Sequence, residues 1–299
     1  MSTADRTVRV VSISKEGLEA DTREQAVAAF LGRLDQAASY RPDIVCLPEN
    51  TPGREAQDVP GPATEPFAAW AREHGCWLIL PLIARENGAL YNTALLFDRD
   101  GKLAGRYRKI HPTETELERG IRPGAPEGGV FRTDFGTIGV RICFDVNWWE
   151  DWSSLKAQGA QLVFFSSAYS ANRILSALAL RNRFYVVSST RSRLCRAYDI
   201  TGDELDRSGI YRPWVQTTLN LGKRLFETDY QLPRLRELAA KYGDRVEVKW
   251  FHEEDWFTLA SYDPERSTED LMREYGLTAI DEYHARCSKA QAAAPAAGA

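Results

Sequence analysis

The chain has 299 residues, of which 43% are hydrophobic and 27% charged, a composition typical of folded globular proteins that excludes disordered and fibrous classes. Its 38 basic and 42 acidic side chains give a formal net charge of −4, which offers no basic footprint for a phosphate backbone, so nucleic acid is not an expected partner. Five cysteines without C-x-x-C spacing, four histidines without metal-ligand spacing, no export-type segment and no apolar run near the ~20 residues of a membrane helix set four expectations: reduced thiols, no metal or cofactor, no membrane, and a cytoplasmic location.

Thr7 to Ile13 is rich in β-branched residues and reads as a strand. Arg23 to Ala38 places Ala26, Ala29, Phe30, Leu34 and Ala37 at helical spacing. Asp43 to Glu49 is a compact apolar run stopped by Pro48, the pattern of a strand buried on both faces. Thr64 to His74 reads as a helix with Pro66 in its first turn, followed by strands over Cys76 to Ala84, Tyr91 to Phe97 and Lys102 to Lys109. Val130 to Thr133 and Ile138 to Ile142 form a strand pair across Asp134-Phe135-Gly136, and Cys143 follows directly. Then come a helix over Glu150 to Gln158, a strand over Leu162 to Phe165, a helix over Ala171 to Asn182 and a strand over Phe184 to Ser189. Short β-runs interleaved with helices predict an α/β layered domain.

Beyond about Leu219 the chain turns to charged helical stretches, Leu232 to Lys241, Thr268 to Tyr275 and Ile280 to Cys287, with one strand-like run from Val246 to Phe251. The expected organisation is a single domain over 1–288, with a catalytic core over about 6–221 and an extension over 222–288 that lacks a second core. A disordered tail is expected over 289–299. Trp250, Phe251, Trp256 and Phe257 in the extension either cap a cleft, grip a partner subunit or pack under a loop.

Reactive side chains in open α/β sheets collect where strands end and loops begin. Three positions qualify: Glu49 closing Val45-Cys46-Leu47-Pro48-Glu49, Lys109 in Tyr107-Arg108-Lys109-Ile110-His111-Pro112, and Cys143 in Arg141-Ile142-Cys143-Phe144-Asp145. Taken singly, each is more often a solvated or packed side chain than a functional one.

Their order and neighbours carry more weight. With Tyr91-Asn92-Thr93-Ala94, Arg122-Pro123-Gly124, Phe135-Gly136-Thr137-Ile138-Gly139 and Gly159-Ala160-Gln161-Leu162 as accessory matches, the sequence over roughly Arg6 to Leu221 resembles the carbon-nitrogen hydrolase (nitrilase-like) superfamily. The resemblance implies a four-layer α-β-β-α sandwich, subunits that pair into a homodimer or larger homo-oligomer, and a Glu-Lys-Cys triad formed by Glu49, Lys109 and Cys143. It also implies a second glutamate shortly after the lysine. Glu114, Glu116 and Glu118 all fall in that segment; Glu118 is preferred for its place before Arg119-Gly120-Ile121-Arg122-Pro123-Gly124, with Glu116 close behind.

A free thiol with a pKa near ~8.5 is mostly protonated at neutral pH and needs a base or a cation beside it to act as a nucleophile. Glu49 and Lys109 are one of each, and the Phe144 N–H joins Lys109 as an expected oxyanion donor. True nitrilases usually carry Cys-Trp-Glu, whereas Cys143-Phe144-Asp145 looks like the amidase and carbamoylase branches, so a small amide or N-carbamoyl substrate is expected before a nitrile. Acyl transfer to an amine shares the first half of that chemistry, and a binding protein without catalysis would have no use for the complete triad. Phe144, Trp148, Trp149 and Tyr169 are candidate substrate-binding residues for an apolar or planar group, and Asn172 with Arg173 for a polar end.

Overall fold

The computed structural model describes residues 4–192 and 194–294. They form two compact units, one from Val8 to Leu219 and the other from Asn220 onward together with the residues before Val8.

The first unit begins with β1 (Thr7–Ile13) and α1 (Arg23–Ala38). The helix starts at a capping box in which Thr22 Oγ1 accepts from the Gln25 N–H and the Gln25 side chain accepts from the Thr22 N–H, satisfying two donors the first turn leaves open. Next come β2 (Ile44–Cys46), β3 (Ala56–Asp58), α2 (Glu65–His74), β4 (Trp77–Glu86), β5 (Ala89–Phe97), β6 (Leu103–Arg108) and α3 (Glu114–Glu118). β7 (Val130–Arg132) and β8 (Thr137–Ile142) lead into a single-turn 3-10 helix, Cys143–Asn147. α4 (Trp149–Ala157), β9 (Leu162–Ser167), α5 (Asn172–Asn182), β10 (Tyr185–Thr190), β11 (Arg196–Tyr198), β12 (Glu204–Arg207) and β13 (Trp214–Asn220) complete it.

These strands make two sheets, ordered β13-β1-β2-β4-β5-β6 with β3 beside β4, and β12-β11-β10-β9-β8-β7. Each has a parallel centre, β1-β2-β4 with β3 also parallel to β4 in one and β8-β9-β10 in the other, and β5, β6, β7, β11 and β12 join antiparallel. Helices cover the outer faces because their apolar stripes need a partner. Phe30, Leu34, Phe67 and Trp70 of α1 and α2 pack with Val11, Val45, Leu78 and Leu80, while Trp152, Leu155, Leu175 and Leu178 of α4 and α5 pack with Val163, Phe165 and Val186. The inner faces meet through small hydroxyl residues. Ser12 Oγ donates to Ser188 O at 2.6 Å, Ser189 Oγ to Ile13 O at 2.6 Å and Ser166 Oγ to Leu47 O at 2.9 Å, so side chains that would be costly to bury unpaired tie one sheet to the other. The result is the four-layer α-β-β-α sandwich that the resemblance implies.

The second unit holds the antiparallel sheet β14 (Arg224–Glu227), β16 (Trp256–Ser261) and β15 (Val246–Phe251), with α6 (Leu232–Tyr242), α7 (Thr268–Tyr275) and α8 (Ile280–Ala293). It has a core of its own, contrary to the expectation of an extension without one. Phe226 and Phe257 stack at 4.8 Å, surrounded by Leu235, Leu238, Leu259 and Leu271. The four residues of β14 are too short a run to show a strand period against the charged background. α8 continues through 289–293, where a tail was expected, because alanine is the strongest helix former; 295–299 lie outside the described residues. Among the described residues no helix is long and apolar enough to cross a membrane.

Candidate active site

Four ends of parallel strands and one edge-strand end converge on one cavity. Glu49 follows β2, Cys143 follows β8, Ala168 follows β9, Arg191 follows β10 and Lys109 follows the antiparallel β6; all five line a cavity of about 380 Å³. Lys109 is pinned by its backbone, its N–H donating to Asn92 O at 2.8 Å and its carbonyl accepting from the Gly124 N–H at 2.8 Å. A side chain at position 124 would meet the Arg108 carbonyl at 2.2 Å, so only glycine lets the loop lie that close.

The Lys109 ammonium, 1% exposed, sits between two carboxylates. Its Nζ lies 3.3 Å from Glu49 Oε1 and 2.7 Å from Glu116 Oε2. Asn92 Nδ2 closes the ring, donating to Glu49 Oε1 at 2.9 Å and Glu116 Oε1 at 2.7 Å. Burial alone would lower the lysine's pKa, but Glu49, Cys143 and Glu116 more than offset it and the net direction is up, toward a permanent cation. The Glu116 carboxyl is likewise raised by burial and lowered more by Lys109, the Thr113 N–H and Asn92, with a net downward shift.

Glu116, not Glu118, therefore stands beside the lysine. Thr113 caps α3, and in the resulting capping box Glu116 Oε2 folds back onto the Thr113 N–H at 2.8 Å, which holds the carboxylate against Lys109. Glu118 lies two residues on, about 200° round the helix, and is solvent-exposed. The signal was present in Thr113-Glu114-Thr115-Glu116, the spacing of a capping box.

Cys143 is 9% exposed and has φ 47°, a left-handed conformation that costs a non-glycine residue about 1 kcal/mol and is found where function requires it. Its thiol is pushed up to about 11 by burial first and by Glu49 second, against the lowering effect of Lys109, the Ala168 backbone and the Ser167 side chain. At neutral pH it is a neutral thiol. The 3-10 helix beginning at Cys143 leaves its first N–H groups, that of Phe144 included, without an intrahelical acceptor.

Asp145 joins the cysteine elbow to the lysine segment. Fully buried, it accepts from Tyr107 Oη at 2.6 Å and the Ile142 N–H at 2.9 Å through Oδ2, and from the His111 N–H at 2.9 Å through Oδ1. Sequence reasoning used Asp145 only to separate family branches; its buried, three-donor role has no signature in spacing.

Of the side chains expected to grip substrate, Phe144 adjoins the cysteine in the chain and the half-exposed Tyr169 lies close enough to feel the thiol. The Tyr169 hydroxyl is raised by burial first and then by the nearby Cys143 and Glu49, against Lys109. Trp148 stacks on His111 at 3.7 Å and meets Phe144 edge-on, and the exposed Trp149 lies under the Arg181 guanidinium at 5.8 Å. Asn172 accepts from Tyr198 Oη at 2.7 Å, and Arg173 is exposed. None of the six expected substrate-binding residues lines the cavity; Asn50, Arg54, Ile83, Leu90, Arg119 and Arg191 do.

The family model for carbon-nitrogen hydrolases matches residues 8–224. The chain is 29% identical over 231 residues to the omega-amidase NIT2 of Xenopus tropicalis, covering 69% of this chain and 82% of that protein. It is 34% identical over 142 residues to the bifunctional nitrilase/nitrile hydratase NIT4B of Lupinus angustifolius, covering 38% of this chain and 40% of that one. Among solved structures, the carbon-nitrogen hydrolase of Helicobacter pylori G27 superposes with a TM-score of 0.64 at 18% identity, covering 80% of this chain and 95% of that one. With the family model matched across the whole α-β-β-α unit that builds the cavity, the chain belongs to the carbon-nitrogen hydrolase family.

Proposed function

We propose that the protein hydrolyses the C–N bond of a small primary amide or N-carbamoyl compound through a thioester on Cys143, with Glu49 as base and acid and Lys109 as oxyanion donor. The observation that carries this reading is the Cys143 thiol lining one cavity with the buried Glu49 carboxylate and the buried Lys109, whose Nζ lies 3.3 Å from Glu49 Oε1. A thiol raised to about 11 is a poor nucleophile unless a base removes its proton as it attacks, and Glu49 is the carboxylate whose field the thiol feels.

The steps balance as follows. Glu49 accepts the Cys143 proton while Sγ bonds to the carbonyl carbon, and the developing oxyanion is held by Lys109 Nζ and the Phe144 N–H. Glu49 returns the proton to the nitrogen, the C–N bond breaks and ammonia or an amine leaves a thioester. Water then enters, Glu49 removes its proton as the oxygen bonds to the thioester carbon, and the tetrahedral adduct collapses with the C–S bond breaking and Glu49 returning the proton to Sγ, which leaves a carboxylic acid, or a carbamic acid from an N-carbamoyl compound, and the free thiol. Glu116 and Asn92 hold Lys109 and Glu49 in register throughout.

An amide is preferred over a nitrile because the nucleophile segment reads Cys143-Phe144-Asp145, which looks like the amidase and carbamoylase branches, where true nitrilases usually carry Cys-Trp-Glu. A cytoplasmic homodimer forms part of the same proposal, and light scattering on the purified protein reads the subunit number. The test is ammonia release and intact mass for wild type and Cys143→Ala across primary amides, N-carbamoyl amines and nitriles. Release and a trapped acyl adduct only in the wild type are expected; equal turnover by both proteins would remove Cys143 as the nucleophile. Added hydroxylamine separates hydrolysis from acyl transfer, since a thioester open to amines yields the hydroxamate.

A further inference from the structure

Two residues before the thiol, Arg141 is fully buried on β8, and the proposed chemistry does not use it. Its guanidinium donates only to backbone carbonyls among the described residues, Nη1 to Gly128 O and Val140 O at 3.0 Å each and Nη2 to Asp151 O at 2.9 Å, and its buried Nε has no acceptor. A buried cation without a carboxylate partner is costly unless another charge compensates it. Here the compensation comes across an aromatic ring. The guanidinium carbon lies 5.3 Å from the centre of the Tyr107 ring, and Tyr107 Oη donates to the fully buried Asp145 at 2.6 Å. Gly129, with φ 99°, leaves room for this arrangement, since a Cβ there would stand 2.5 Å from Arg141 Nη1 and 2.9 Å from the Tyr107 ring.

We propose that Arg141 and Tyr107 are positioning residues for the nucleophile: together they hold Asp145 as a buried carboxylate, and that carboxylate fixes the Cys143 elbow against the Lys109 segment. This rests on the amide-hydrolase reading for the chemistry it serves and adds to it a device that touches no reacting atom. Asp145 takes the Ile142 N–H, directly before the thiol, and the His111 N–H, two residues after Lys109. One carboxylate thus sets the nucleophile against its oxyanion donor, and only the charged form, an acceptor at both oxygens, can take the Tyr107, Ile142 and His111 donors at once. Burial raises the Asp145 carboxyl, against the lowering effect of Tyr107, the Ile142 and His111 N–H groups and Arg141. The other titratable side chains on the surrounding elements, His111 after β6 and Asp151 on α4, are paired with each other at 2.6 Å. Activity that needs the carboxylate is lost as pH falls through the folded value of Asp145, so removing Arg141 or the Tyr107 hydroxyl moves that loss to higher pH.

The experiment measures two things on the full chain, the pH dependence of pentanamide turnover and hydrogen exchange by mass spectrometry in the peptides holding His111 and Ile142. The proteins are wild type, Arg141→Met, Asp145→Asn, the double variant of these two, and Tyr107→Phe. Arg141→Met is expected to lower kcat roughly ten- to a hundredfold with KM near the wild-type value, the scale on which a supporting partner of a site residue acts. Its acid limb should move to higher pH, and exchange should quicken at those two peptides and not elsewhere. Tyr107→Phe should do the same to a smaller degree. With Asp145 already replaced, Arg141→Met should add no further shift of the acid limb. An acid limb that stays in place in Arg141→Met, or that moves equally with and without Asp145, overturns the proposal and leaves Arg141 as packing; unchanged exchange at both peptides overturns it as well. Absence of turnover in the wild type sinks the hydrolase reading alone, and exchange then decides the positioning by itself. Should Arg141→Met exchange faster throughout the chain, Tyr107→Phe decides both readouts, since it removes one hydrogen bond and almost no volume.

Discussion

The cavity has two walls that treat charge in opposite ways. On one, the buried Glu49 and Lys109 and the partly buried Glu116 are paired through the lysine and bridged by Asn92. On the other, Arg54, Arg119 and Arg191 have no carboxylate partner among the described residues, and Arg54 and Arg119 reach water. An unpaired buried charge costs several kcal/mol, so the first wall must be completed by the fold itself, while hydration relieves Arg54 and Arg119 on the second. The charges of the first wall are thus fixed by one another, and those of the second are not.

The sharpest way to break this contrast is to remove charge from the paired wall. On the proposed chemistry, Glu49→Gln should lower kcat about a thousandfold, the scale of a positioned acid-base group. Yet its thiol should titrate lower than the wild type's, because the carboxylate that helps hold it near 11 is gone. Iodoacetamide labelling of Cys143, followed by peptide mass spectrometry from pH 7 to 10, should therefore be faster in Glu49→Gln than in wild type at each pH. A wild-type profile that levels off near the ordinary thiol value would mean the wall and the cysteine are not electrically coupled.

Lys109→Met comes next, with an expected loss of about a hundredfold or more in kcat, typical of one oxyanion donor. It should also cost about 3 kcal/mol of stability in urea unfolding, since two buried carboxylates would face each other without their cation. Here the thiol should shift upward, the opposite of Glu49→Gln, because Lys109 lowers it. An unchanged unfolding midpoint would show that the ring of charges is not a structural unit.

How much of this was legible in sequence follows from what each residue depends on. Glu49, Lys109 and Cys143 stand at strand ends, and strands such as Ile44–Cys46 or Leu162–Ser167 announce themselves by compact apolar runs of the kind a doubly covered sheet buries. The guanidinium wall was not legible. Arg54 and Arg119 lie on irregular loops, and Arg191 differs from any other arginine only in what surrounds it after folding. Trp148 and Asn172 meet the same limit: an aromatic near a nucleophile and an amide at a helix start satisfy sequence logic equally well as packing, and they contact His111 and Tyr198 outside the residues that line the cavity. The core of the second unit was hidden because β14 and β16 share Phe226 and Phe257 across chain separations that no local period records.

The smallest expected effect separates two neighbouring carboxylates on α3. Glu116→Gln keeps a hydrogen-bonding side chain but weakens the hold on Lys109, so kcat should fall by roughly ten- to a hundredfold, as is usual when a supporting partner of a site residue is lost. Glu118→Gln, at an exposed position, should stay within about twofold of wild type. Stability against pH gives a second readout. The folded Glu116 carboxyl lies below its usual value, although burial opposes it, chiefly because Lys109 favours its charged form. Its contribution is therefore fully present above the usual carboxylate range of about 4.3 and lost as pH falls through the lowered folded value. Glu116→Gln should flatten that part of the acid limb in unfolding experiments between pH 6 and 3, and Glu118→Gln should leave it as it is. The reverse pattern would return the second glutamate to position 118 and would mean that the capping box at Thr113 opens in solution, freeing the paired wall at the point where α3 closes it.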